Sequence, residues 1–134
     1  MALRSLAWTR LYYAATLAFA LADACAGANV RAVGFAAWPE ARTLYYLVCG
    51  ACAWIVWRFP AWSAPVTLAE SSVNLTVLCA AVLFAPWLAV EGSPAAPPSF
   101  GQLLANFAIA GTAGTLAFYQ ALGRLPQIGG RRAS

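Results

Sequence analysis

Residues 64–90 read APVTLAESSVNLTVLCAAVLFAPWLAV, a run of 27 residues whose only charge is Glu70. About 20 consecutive apolar residues suffice for an α-helix to cross the hydrocarbon core of a bilayer. The run is therefore long enough to span, and its lone carboxylate becomes the residue to explain. Glu70 sits six residues in, ~9 Å from the start of the run at a helical rise of 1.5 Å per residue. An acidic side chain at such depth costs a few kcal/mol unless it is paired, protonated or facing water. Thr67, Ser71 and Asn74 lie three before, one after and four after it, which places a polar strip on one helical face. That strip must point into a helix bundle or toward a partner.

Three further apolar stretches flank this one, at about residues 6–26, 41–57 and 100–122. Their separators carry turn chemistry: 27–39 from Gly27 to Pro39, Arg58-Phe59-Pro60, and Glu91-Gly92-Ser93-Pro94 through Pro98. The pattern predicts an all-α integral membrane protein. It forms a four-helix transmembrane bundle, in one membrane domain over 1–134 and with a basic tail over 123–134. Composition agrees: 63% of the residues are hydrophobic and 9% charged, against about 25% charged in an ordinary soluble domain.

All eight basic residues are Arg, and Lys and His are absent. His-ligated haem, the usual His-containing metal sites and Schiff-base chemistry are thereby excluded within this sequence. No cofactor or metal is expected. Four spans place Arg4, Arg10, Arg58, Arg124, Arg131 and Arg132 on one side and only Arg31 and Arg42, beside Glu40 and Glu91, on the other. Six against two puts both termini in the cytoplasm of a multi-pass protein, with a bacterial inner membrane suggested by the Arg- and Ala-rich, Lys-free usage. The first span has a rival reading as a signal peptide, with small residues over 20–26. The clearer charge asymmetry favours its retention. Basic charge at the tail suits lipid headgroups, and no aromatic-interleaved basic stripe points to nucleic acid.

Arg10-Leu11-Tyr12-Tyr13 and Arg42-Thr43-Leu44-Tyr45-Tyr46 echo one another at the openings of the first two spans. Two interfacial belts of Arg and Tyr account for them more simply than an inverted repeat. Trp8, Trp57, Trp62 and Trp87 also fall near span ends.

The polar strip has two readings. In one, Glu70 pairs with Arg10, about one turn into the first span from the same side, and Asn74 adds an interhelical hydrogen bond. In the other, a carboxyl alternating between charged and neutral carries a proton or cation. Asp23, at the far end of the first span, is within reach of Arg31 or Arg42. The stretch between Asp23 and Glu70 holds only hydroxyls and small residues, which argues against a continuous hydrophilic path through one copy.

Cys49 and Cys52 have C-x-x-C spacing but lie inside a span, and no loop carries a second pair, so they read as small buried apolar residues. Asn74-Leu75-Thr76 matches a glycosylation acceptor only by letter. Ala110, Gly111, Gly114 and Thr115 set small residues on adjacent rows of the fourth span, a helix-packing face. No catalytic constellation is present. The function that fits is non-enzymatic: a small polytopic protein acting by helix association. It would serve as a subunit of a larger membrane complex or assemble with itself into a holin-like pore. The alternative is a proton- or cation-coupled small transporter using Glu70.

Overall fold

A computed structural model describes residues 2–27, 29–36, 38–90 and 99–123. The Glu91–Pro98 turn, Arg124, Arg131 and Arg132 lie outside the described residues, as do the side chains of Arg4 and Trp87. Four α-helices make up the fold, with no strand among the described residues: α1 Ala2–Ala26, α2 Pro39–Arg58, α3 Ser63–Val90 and α4 Phe100–Leu122. They coincide with the four apolar stretches to within a few residues.

Local chemistry sets the helix ends. α1 closes at Gly27, whose φ of +65° is the left-handed conformation that glycine adopts without a Cβ clash, and its N–H returns to the Asp23 carbonyl at 2.9 Å. α2 opens with Pro39 in its first turn, where a missing N–H is harmless, and carries Glu40 at its N-terminal and Arg58 at its C-terminal end. Four residues separate α2 from α3, so the two run antiparallel as neighbours. α4 starts on a capping box: the Ser99 Oγ accepts from the Gln102 N–H, and the Gln102 Oε1 accepts from the Ser99 N–H.

α3 packs most extensively on α4 and α1 on α2, while α1 touches α4 and α3 far less. A Cβ added at Gly114 would stand 3.3 Å from the Ser71 Cβ, so the glycine sets how closely α4 approaches α3. The segment between α1 and α2 turns back into the bundle. Asn29 organises its turn by accepting from the Ala32 N–H at 3.0 Å and donating to the Ala32 carbonyl at 3.1 Å. Gly34, in a 3-10 turn over Val33–Phe35, lies so close to α3 that a Cβ would fall 2.9 Å from Val77 Cγ1 and 3.3 Å from the Leu78 nitrogen.

The interior is polar and the exterior apolar. Among the described residues, eleven polar or charged side chains are buried, nearly as many as the twelve buried hydrophobic ones, of which six are alanines. Twenty-three large hydrophobic side chains are exposed, including Trp8, Leu21, Leu83 and Phe100. Among the described residues, one helical stretch, Pro60–Phe84, of mean hydropathy 1.7, is long and apolar enough by itself to cross a bilayer. The expectation of four such stretches is met in helix number but not in this measure. Arg10 and Asp23 dilute α1; Glu40, Arg42 and Arg58 dilute α2; Gln102, Asn106, Gln120 and four glycines or threonines in a row of five dilute α4.

Candidate functional site

Glu70 is the centre of a buried cluster drawn from every part of the fold. Its position one helical row from Thr67 and Asn74 turns the carboxylate inward, and Thr67, Ser71 and Asn74 are all buried with it. The Tyr12 hydroxyl on α1 donates to Oε2 at 2.6 Å, and the Tyr45 hydroxyl on α2 donates to Oε1 at 2.6 Å. The Cys49 thiol lies 3.8 Å from the same Oε1. Arg31, from the segment that turns back between α1 and α2, places Nη2 3.0 Å from Oε1. Its Nη1 donates to the Asn106 Oδ1 on α4 at 3.0 Å, an oxygen that also accepts from the Asn74 Nδ2 at 3.0 Å. The guanidinium lies over the Tyr12 ring, 4.8 Å from its centroid. Phe35 stacks on Tyr45 with ring centroids 5.1 Å apart, so the returning segment also braces one of the phenols.

Burial and charge act together here. The Arg31 side chain is fully buried and that of Glu70 nearly so, at 0% and 3% exposure. Burial alone works against the Arg31 charge, but the Tyr45 phenol and the Glu70 carboxylate outweigh it, and the guanidinium is held charged. With both carboxylate oxygens bonded to donors, the pair meets the condition under which a buried ion pair is tolerated.

Three sequence expectations are corrected by this geometry. Arg31, not Arg10, is the ionic partner of Glu70. Arg10 is half-buried on α1, and its Nε meets no hydrogen-bond partner among the described residues. The depth argument matched two helix positions and left out a connection able to fold inward. Tyr12 and Tyr45 are not interfacial belt residues: the first tyrosine of each echoed pair converges on the same carboxylate. The second ones diverge, Tyr13 facing Thr67 and Tyr46 facing Asp23. Finally, the polar groups available near Glu70 are not limited to hydroxyls and small residues, since Arg31, Asn74 and Asn106 join them. Asp23 itself pairs with Arg42 at 3.5 Å.

The small residues of α4 divide between two faces. Ala110 is fully buried and Gly114 packs on Ser71, so that row serves the α3–α4 contact within the chain. Gly111 has no atom within 4 Å of an added Cβ, and Thr115 is exposed with its hydroxyl returned to the Gly111 carbonyl at 2.8 Å. Beside them, the divergence of α1 and α4 leaves an open cleft of about 400 Å³, lined by Trp8, Leu11, Ala108, Thr112 and Leu116 with Tyr12 and Thr67 at its inner wall. All four cysteines are free thiols, Cys49 buried and Cys25 and Cys79 exposed. No group of three or more metal-ligating side chains occurs among the described residues.

No family model, curated protein or solved structure matches the chain.

Proposed function

We propose that this chain is a multi-pass membrane protein whose four helices all cross the bilayer of a bacterial inner membrane. It works without enzymatic chemistry, by associating through its α1–α4 face with another membrane subunit or a second copy of itself. The observation that carries the membrane placement is the inverted distribution of polarity: buried Glu70, Arg31, Asn74 and Asn106 inside, exposed Trp, Leu and Phe outside. In water that surface would be a severe aggregation hazard. In lipid it is the expected one, since polar groups must then be satisfied internally.

Charge supports the same orientation for the termini. Arg31 and Arg42, the two arginines assigned to the outer side, are each in an ion pair. On the inner side, Arg10 and Arg58 meet no acidic partner among the described residues. Among the described residues, the arginines without an acidic partner therefore lie on the side of both termini, the side that a cytoplasmic face favours. Exposed Trp8, Trp57 and Trp62 on that side suit an interfacial belt.

Association is favoured by the α4 face that the chain leaves open. Ala108 and Thr112, and Gly111 and Thr115, repeat small residues at a spacing of four beside the cleft. In lipid, where hydrophobicity does not drive helices together, such rows permit the close contact that does. Replacing Gly111 and Thr112 by Leu should shift the bilayer-reconstituted protein to a smaller assembly and leave the fold intact. An unchanged assembly size, or a monomer before the substitution, would rule out self-association and direct the search to a copurifying subunit. Graded expression supplies a second readout, because a self-assembling pore dissipates the membrane potential abruptly above a threshold level.

Coupled transport through Glu70 is the second reading, and one observation favours it. Tyr12 bonds Glu70 and is also among the residues that line the cleft, so it links the carboxylate to that opening. Glu70→Gln would then abolish transport of a proton or cation while helix content and assembly survive.

A further inference from the structure

Arg31 occupies a site that it did not build. Three helices supply the groups that accept from its guanidinium or cover it, the Glu70 carboxylate on α3, the Asn106 amide oxygen on α4 and the Tyr12 ring on α1, and the Tyr45 phenol on α2 lies beside them. Each addresses a different feature of a planar cation. Oε1 and Oδ1 accept from separate amino groups along its edge, both at 3.0 Å, and the aromatic ring covers its face. An acceptor pair in the plane and a π-system above it is the arrangement that selects guanidinium over a spherical ammonium or a sodium ion. The remaining edge, at Nε, where the side chain leaves toward its own backbone, meets no hydrogen-bond partner among the described residues.

The helices also hold these groups without help from Arg31. Asn74 donates to the same Asn106 oxygen, Tyr12 donates to the opposite carboxylate oxygen, and Tyr45 donates to Oε1. Arg31 itself rides on the non-helical segment between α1 and α2. That segment's turn is closed by Asn29 and Ala32, and its Gly34 and Phe35 pack on α3 and α2.

We propose that Glu70, Asn106 and Tyr12 form a binding site for a guanidinium group, with Arg31 as its tethered occupant. The Arg31 side chain therefore fills a site that a ligand bearing a free guanidinium can take in its place. Tethering gives Arg31 a high effective concentration, so an external guanidinium competes poorly with it and binds readily once it is removed. This inference is independent of the association reading, because it concerns the interior of a single chain.

The test is thermal unfolding of the full chain in detergent, for the wild type and for Arg31→Ala, with guanidinium chloride at low millimolar concentration as the probe. Sodium chloride at equal ionic strength controls for charge, and urea controls for planar shape without charge. The expected result is a rise of about 5 °C in the midpoint of Arg31→Ala at roughly tenfold excess over Kd. The wild type should not shift, and neither sodium nor urea should reproduce the rise. Adding Glu70→Gln to Arg31→Ala should abolish the response. Equal shifts in wild type and variant, or a response that survives Glu70→Gln, would overturn the proposal. If Arg31→Ala does not accumulate, Arg31→Gln carries the same test, since it keeps a stem and a donor without the charge. Absence of a guanidinium-specific rise in that variant overturns the proposal as well.

Discussion

Arg31 and Glu70, 39 residues apart in the chain, meet at 3.0 Å with both side chains shut away from solvent. The contact joins a segment outside the four helices to the polar face of α3, and through Asn106 it reaches α4 as well. One guanidinium thus ties the connection between α1 and α2 to the far side of the bundle.

Removing one partner leaves the other buried and uncompensated. Arg31→Ala or Glu70→Leu alone should destabilise the protein by about 3–5 kcal/mol, whereas Arg31→Met combined with Glu70→Leu should recover most of that loss. Unfolding in detergent, followed by helix content, measures all three. A double variant no better than either single one would show that the pair does not act as a unit.

Arg10 provides the contrast. It has no ionic partner among the described residues, so Arg10→Ala should change stability by less than about 1 kcal/mol. The same unfolding assay decides it. A loss as large as that of Arg31→Ala would mean that Arg10 enters the cluster after all.

Tyr12 and Tyr45 donate to different oxygens of one carboxylate. Each Tyr→Phe change keeps the ring and removes a hydrogen bond to a charged group, at about 1.5–3 kcal/mol. The double change should cost more than the sum, because a carboxylate deprived of both phenols is left with Arg31 and the weak Cys49 thiol. Comparing the two single variants with the double by a mutant cycle tests the non-additivity.

Gly34 sets the approach of the returning segment to α3. Gly34→Ala introduces a Cβ at 2.9 Å from Val77 Cγ1 and 3.3 Å from the Leu78 backbone nitrogen, an overpacking that should cost about 1–3 kcal/mol. A displaced segment should also carry Arg31 away from Glu70. The variant should then lose further stability little, or not at all, on adding Arg31→Ala, which an unfolding comparison of the two would register.

Asn74 and Asn106 share one interhelical hydrogen bond. Asn74→Ala should cost about 0.6–1.7 kcal/mol, the range for such bonds between helices in lipid. Asn106→Leu should cost more, since Arg31 also loses its acceptor there. Equal effects from the two substitutions would argue that the Arg31–Asn106 bond contributes nothing.

How much of this was legible in the sequence differs from residue to residue. The inward face of α3 was, because Thr67, Glu70, Ser71 and Asn74 fall on neighbouring helical rows and only one direction suits them. The convergence of Tyr12 and Tyr45 left a trace in the echo of Leu-Tyr-Tyr at two helix openings. Tyrosine near a helix end is so common in membrane proteins that the trace carried little weight. Asn106 stood out in the sequence only as a polar residue of the fourth span near the level of Asp23, because its role as an acceptor depends on a cation supplied by another part of the chain.

The sequence by itself determined the four helices, their ends and the burial of Glu70. Those depend on interactions within a few residues: apolar runs, Gly27, Pro39, the Ser99–Gln102 box and helical periodicity. Only the tertiary structure decided that Arg31 is the partner. Periodicity assigns a residue a height along a helix and a side of it, but it says nothing of where a non-helical connection goes. That path was chosen by contacts between distant residues, Gly34 lying against Val77 and Leu78 and Arg31 finding acceptors on α3 and α4, and such contacts exist only once the helices have packed.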